Sequence, residues 1–393
     1  MTEVKIVVGA NYGDEGKGLA TRFWTLDAIR RGRRCVNVLY NGSSQRGHTV
    51  ETPSDQRHVF HHFGSGTLDG ADTYFDADFM VNPMTFVREL IELKQEFNVL
   101  PICFINADCS VVTPFDMLIN QIVEYVRSDK RHGSCGSGVW ETQQRYMNSR
   151  YNLAWRQICL LSIEELTSYL LSIAKHYVSE RLDSYGIFQI PEKFASFFEE
   201  STVVALIDHY AQDLMTMRNY MLGCVDDNTV FQGYDTVIYE GGQGLALDER
   251  NQSAYPHVTA SKTGAEVPVR RVMPYTSAIE VCYITRSYLT RHGAGPLPTQ
   301  CNPKLLGISY VDTTNMPNEF QGAIRYGTLD VNELAERVHL DMSRVFTTGI
   351  LPRYSLFVTH SDLLHANIRK AIDETFQYVR FAHTKYAEDL FGG

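Results

Sequence analysis

At 393 residues the chain is long enough to bury a large core, and 44% hydrophobic with 21% charged residues marks it as globular rather than disordered. A formal net charge of −10 argues against a bulk nucleic-acid binder, whose basic face must neutralise phosphates. No apolar run approaches the roughly 20 residues needed to span a bilayer, so neither nucleic acid nor membrane is an expected partner.

Residues 4–9 form a short apolar run ending in glycine, the pattern of a buried strand that feeds a loop. With an acidic residue before the run and no small-residue cleavage site, this start reads as a strand and not a signal peptide, which makes the cytoplasm the expected compartment. Residues 18–33 carry helical spacing, with Leu19, Phe23, Leu26 and Ile29 on one face. The basic cluster at 30–34 (RRGRR) is expected to be a solvated helix end. A second strand, CVNVLY, closes on the polar stretch NGSSQRGHTV. Strand, loop, helix and strand open an α/β fold built on a large, mainly parallel central sheet with flanking helices.

The middle of the chain, about residues 140–220, has helical periodicity and reads as an insertion within one domain spanning 1–393. Later strands are expected over 236–240, 278–290 and 355–360, each stopping at a polar segment where a parallel sheet places its ligands. The eight cysteines include no CxxC pair and are expected to be small, reduced packing residues. His58, His61 and His62 lie close together, but no second cluster of ligand spacing accompanies them, so a metal site there is not expected.

The segment Gly13-Asp14-Glu15-Gly16-Lys17-Gly18 falls between the first strand and the first helix. Glycines let backbone N–H groups approach phosphate oxygens, and the helix N-terminus favours their negative charge. Lys17 adds a point charge, and Asp14 could hold a magnesium ion or take a proton. The GxxxxGK[ST] pattern is absent, so this is not a Walker A loop.

GDEGKG resembles the signature loop of adenylosuccinate synthetases, and the likeness continues in family order along most of the chain. It covers QRGHT at 45–49, YEGGQGLALD at 239–248, YPHVTASKTG at 255–264, TRHGAGPLPT at 290–299, NEFQGAIRYGTLD at 318–330 and VTHSD at 358–362. The resemblance implies a carbon–nitrogen ligase in which a nucleoside triphosphate phosphorylates the purine 6-oxygen and the amine of L-aspartate displaces the phosphate. Asp14 would be general base and, with the Gly47 carbonyl, a Mg2+ ligand, and His48 would donate to the 6-oxygen and the moving phosphoryl group, with Lys17 beside them. Gly13, Glu15, Gly16, Gly18, Thr49, His360 and Asp362 would complete the triphosphate site. The resemblance assigns Gln45, Arg46, Ser134, Gln243 and Thr259 to the purine monophosphate, and Gln321, Gly322 and Arg325 to aspartate. Arg145 would cross a homodimer interface to the neighbour's substrate.

Three departures bear on the substrate. The aspartate loop shrinks to QGAIRYG with one arginine, which removes the arginine that faces a ribose 2′-hydroxyl in the ordinary enzyme. The guanine-reading Lys-x-Asp becomes His360-Ser361-Asp362, which opens the donor site to ATP or dATP as well as GTP. Gln45 and Arg46 replace an asparagine-alanine run beside the purine. Together with HHFGSGT at 61–67 these features resemble the phage branch that makes 2-aminoadenine DNA precursors from dGMP, for which the compartment would be the host cytoplasm. Typical members of that branch carry serine where Asp14 is retained here. The expectation is therefore a ligase acting on dGMP. The alternatives are a conventional synthetase acting on IMP with GTP, and a nucleotide-binding protein without catalysis.

Overall fold

The computed structural model describes residues 2–309, 315, 317 and 319–391; Asn318, which begins the 318–330 motif, lies outside them. In chain order the strands are β1 (Glu3–Gly9), β2 (Cys35–Leu39), the hairpin β3 (His48–Glu51) and β4 (Arg57–Phe60), β5 (Asp72–Phe75), β6 (Met80–Val81), β7 (Cys103–Ile105) and β8 (Ser110–Val111). They continue with β9 (Gly223–Cys224), β10 (Thr236–Gly244), β11 (Ile279–Arg286), β12 (Tyr288–Arg291), β13 (Arg325–Thr328), β14 (Arg353–Thr359) and β15 (Val379–Phe381). Nine of them make one sheet in the order β15-β14-β11-β1-β10-β2-β5-β7-β9, and every pairing in it is parallel. The expected α/β architecture is what the chain adopts.

The reason β1 reads as an unbroken apolar run is its place at the centre of this sheet. Val4, Ile6 and Val8 face one core, shared with Val338 and Val345, while Val7 faces another, shared with Ala20, Phe23 and Ala28. A strand buried on both faces has no polar side to display. The chain leaves β1 through helix α1 (Lys17–Arg30) to reach β2, which pairs with β10, whereas the other neighbour of β1 is β11. The sheet order thus departs in two directions from β1, and the crevice at its carboxyl end is where such sheets bind ligands.

Helix α1 differs from expectation in which face it hides. Ala20, Thr21, Phe23, Thr25 and Ala28 are buried, while Ile29 is exposed and Leu19 and Leu26 are half-buried. Small residues let the helix lie close on the sheet, so the bulky positions fall to its flank. At the helix end Arg31 and Arg33 pair with Glu3 at the surface, as a solvated basic cluster should.

The helix-rich middle begins with α2 (Pro83–Phe97), α3 (Pro114–Arg127) and α4 (Val139–Met147) and ends with the long helix Glu200–Tyr220. Leu166, Leu170, Ile207 and Leu214 from this region share a core with Phe75 and Ile105 of β5 and β7. The eight cysteines form no disulfide. Among the described residues no helix is long and apolar enough to cross a membrane.

Candidate active site

The turn after β1 sets the geometry. Gly13 and Gly16 have φ of 104° and 92°, and Asp14, a non-glycine residue, also sits in the left-handed region at 54°. Such a conformation costs an L-residue roughly 1–2 kcal/mol and is tolerated best by aspartate and asparagine. Helix α1 then starts with no side-chain cap, so its first N–H groups are left for a ligand. Gly18 permits the next close approach: a Cβ there would meet the Thr49 carbonyl oxygen at 2.6 Å.

Beside this turn lies a cavity of about 550 Å³, whose lining includes Gly13, Asp14, Lys17, Gln45, Arg46, Gly47, His48, Ser134, Gln243, Thr259 and Gln321. Residues assigned from five separate motifs and from the 132–138 loop thus meet around one space. Glu15 does not join them. Its side chain is buried, Oε1 accepts from the Asn11 backbone N–H, and Oε2 has no hydrogen-bond partner among the described residues. Burial pushes this carboxyl up to about 7 against the pull of Lys17, and burial pulls the Lys17 ammonium down.

Two carboxylate–imidazole pairs front the cavity, and neither carried a complete signal in the sequence. His48 Nδ1 lies 2.6 Å from Oε1 of Glu240, which is wholly buried at the end of the apolar part of β10. Glu240 also accepts from the Ser65 N–H at 3.0 Å, the Ser65 hydroxyl and Arg46 at 3.2 Å. Burial alone would raise Glu240, but Arg46 and His48 outweigh it and hold it at about 2. Burial, with the charges of Arg46 and Lys17, lowers His48 to about 3 despite Glu240. The ring is therefore neutral at neutral pH, with its Nδ1–H donating to an ionised carboxylate.

The second pair is Asp14 with His292, Oδ2 to Nε2 at 2.8 Å. Burial would raise Asp14, yet His292, then Arg286 and Lys17, hold it at about 2, so it is ionised at neutral pH. Asp14 and Gly47 both line the cavity, where a carboxylate and a carbonyl are available as oxygen donors, and among the described residues no three metal-ligating side chains converge. That donor set fits Mg2+, which keeps waters and takes one or two carboxylates together with substrate phosphates.

On the far wall Ser134 Oγ accepts from Asn120, and His257 and His132 stand near it. The aspartate segment is only partly placed at the cavity. Gln321 lines it, Gly322 is exposed, and the Arg325 guanidinium donates to the carbonyls of Gly293 and Gly295 at 2.7 and 2.9 Å. Arg325 thus braces the loop after β12. Thr49, His360 and Asp362 do not line the cavity, although the Thr359 hydroxyl donates to the Glu15 carbonyl and brings the end of β14 behind the glycine-rich turn.

Arg145, expected to reach a neighbouring subunit, has its partners inside this chain. It is wholly buried on α4, bonded through Nε and Nη2 to Asp116 at 2.8 and 2.9 Å and to the carbonyls of Tyr151 and Val111. Four of its five N–H donors are used within the chain, and the side chain has no exposed surface.

A family model described as adenylosuccinate synthetase matches residues 6–339. The adenylosuccinate synthetase of Thermoplasma volcanium is 27% identical over 366 residues, 88% of this chain and 76% of that protein. The Mycobacterium avium enzyme is 27% identical over 305 residues, and this match spans 75% of the chain but only 64% of the relative's length. Among solved structures, the fully ligated adenylosuccinate synthetase of Plasmodium falciparum superposes with a TM-score of 0.66 at 19% identity, covering 93% of this chain and 78% of that one. The succinoaminodeoxyadenylate synthetase of cyanophage S-2L, bound to dGMP and dATP, gives 0.63 at 14% identity, with 99% and 95% covered.

Proposed function

The chain belongs to the adenylosuccinate synthetase family of carbon–nitrogen ligases, and from that membership we propose that it joins L-aspartate to the 6-position of dGMP through a 6-phosphoryl intermediate. The observation that carries the reading is the single cavity in which Asp14 and Lys17 of the phosphate turn face His48, Ser134, Gln243 and Thr259. Ionised Asp14 accepts the purine N1 proton as the 6-oxygen attacks the terminal phosphoryl group. Lys17 and the N–H groups at the start of α1 hold the triphosphate. Negative charge arriving at the 6-oxygen raises the His48 imidazole, which takes up a proton from solvent at Nε2 and, with its Nδ1–H fixed by Glu240, donates that Nε2–H to the oxygen. Asp14 and the Gly47 carbonyl would hold Mg2+, which when bound neutralises charge on the phosphates. Ser134 and Thr259 would bind the monophosphate, with Gln45, Arg46 and Gln243 at the base, while Gln321 and the loop braced by Arg325 would meet aspartate.

The choice of dGMP rests on the short QGAIRYG loop with its single arginine and on Gln45-Arg46 beside the base. The cyanophage protein of like fold, solved with dGMP and dATP, supports it, and with His360-Ser361-Asp362 it favours an adenine donor over GTP. We propose a cytoplasmic homodimer. The test is to incubate the protein with Mg2+ and aspartate, crossing dGMP, GMP and IMP with ATP, dATP and GTP, and to follow phosphate release. Release is expected with dGMP above IMP. Release with IMP alone would overturn the substrate, and release in no mixture would overturn the ligase. Asp14→Ala and His48→Ala should each slow turnover about a hundredfold or more, the usual scale for a lost acid, base or charge-stabilising group.

A further inference from the structure

The two carboxylate–imidazole pairs are wired in opposite senses. In one the imidazole of His48 fronts the cavity and the carboxylate of Glu240 stands buried behind it. In the other the Asp14 carboxylate is the expected reacting group, and His292 holds it from the side at 2.8 Å.

His292 is itself firmly placed. It follows directly on β12, where Arg291 pairs with Arg325 of β13, and the Arg325 guanidinium spans the carbonyls of Gly293 and Gly295 just beyond it. Two residues earlier the Thr290 hydroxyl donates to the Gly13 carbonyl at 3.1 Å. Thr290 in β12 and His292 just past its end therefore both reach the turn after β1, one to its backbone and one to its acid. The His292 Nε2 also lies 3.1 Å from Asn315 Oδ1, so the one ring nitrogen faces two oxygens. A nitrogen between two acceptors is the protonated one.

We infer that His292 is a positioning residue for Asp14: by holding Oδ2 against the β12 wall through one lone pair it fixes the carboxylate against rotation, with Oδ1 left for the purine and the second Oδ2 lone pair for Mg2+. The inference rests on the ligase reading above. It gives the aspartate-side loop, through Arg325 and His292, a mechanical link to the base that opens the reaction.

The test compares His292→Ala, His292→Gln, Asp14→Asn and the double variant Asp14→Asn/His292→Ala with the parent protein. Denaturant unfolding without substrates reads the contact itself: the two single losses should fail to add, because they remove the same pair. In the phosphate-release assay His292→Ala should lower kcat about tenfold or more, the scale seen when the partner orienting a reacting ligand is lost, with KM values little changed. His292→Gln, which keeps an N–H donor, should recover part of that loss, and the double variant should be no slower than Asp14→Asn. Additive losses in the double variant, or equal losses in the alanine and glutamine variants, would overturn the inference while an active parent protein leaves the ligase reading standing. A parent protein inactive in every mixture would instead overturn the ligase reading.

Discussion

Glu240 shows how much one side chain can organise. It holds Arg46, His48 and both donors of Ser65 with no solvent contact, and Arg46 is equally buried. Removing one member of such a pair leaves a buried charge unpaired, so Glu240→Ala should cost about 3–5 kcal/mol in denaturant unfolding and slow turnover as well. The pH dependence has a definite sign. The carboxyl is lowered in the folded chain from 4.5 to about 2, so its contribution is complete above 4.5 and fades as pH falls towards 2. The stability gap between parent and Glu240→Ala should therefore narrow in that window, and a gap that widens there would contradict the pairing. Asp14, Lys17 and His48 stand out in the sequence by motif spacing, and the structure sets all three on one cavity. Glu240 and His292 were not assigned, because their partners lie 192 residues away for Glu240 and across a separate hairpin for His292, and no local pattern encodes such contacts.

At the level of elements, the glycine-rich turn depends on how closely α1 meets β3. Gly18→Ala would set a methyl group 2.6 Å from the Thr49 carbonyl, so the helix or the strand must shift. A stability loss of about 1–3 kcal/mol and a raised KM for the triphosphate are expected, and an unchanged melting temperature would show that the contact is looser than described. The strands and helices themselves were largely legible from periodicity; the exception is 278–290, which reads as one strand and divides into β11 and β12. The buried face of α1 was not, since close contact with the sheet favours its alanines and threonines over its leucines. Arg145 on α4 belongs here too. Because Asp116 and two carbonyls hold it in the interior, Arg145→Ala should destabilise the chain by about 3–5 kcal/mol, and mixing it with a second inactive variant should restore no activity.

Across the whole molecule, the parallel sheet brings the ends of β1, β10 and β11 to one rim, and the β3 hairpin and the loop after β12 close over it. The proposed homodimer is a separate matter: light scattering should give twice the chain mass at micromolar concentration, and a monomer would remove any site shared between subunits. By itself the sequence determined the α/β class, the glycine-rich turn and a core set of the residues around the cavity, because strand periodicity, glycine placement and short motifs are local properties of the chain. Only the tertiary structure decided that Glu15 turns inward, that Arg145 is locked in the core, and that two acids each acquire an imidazole. Those outcomes depend on burial and on partners far apart in sequence, where competing charges and contacts are compared only once the sheet has brought them together.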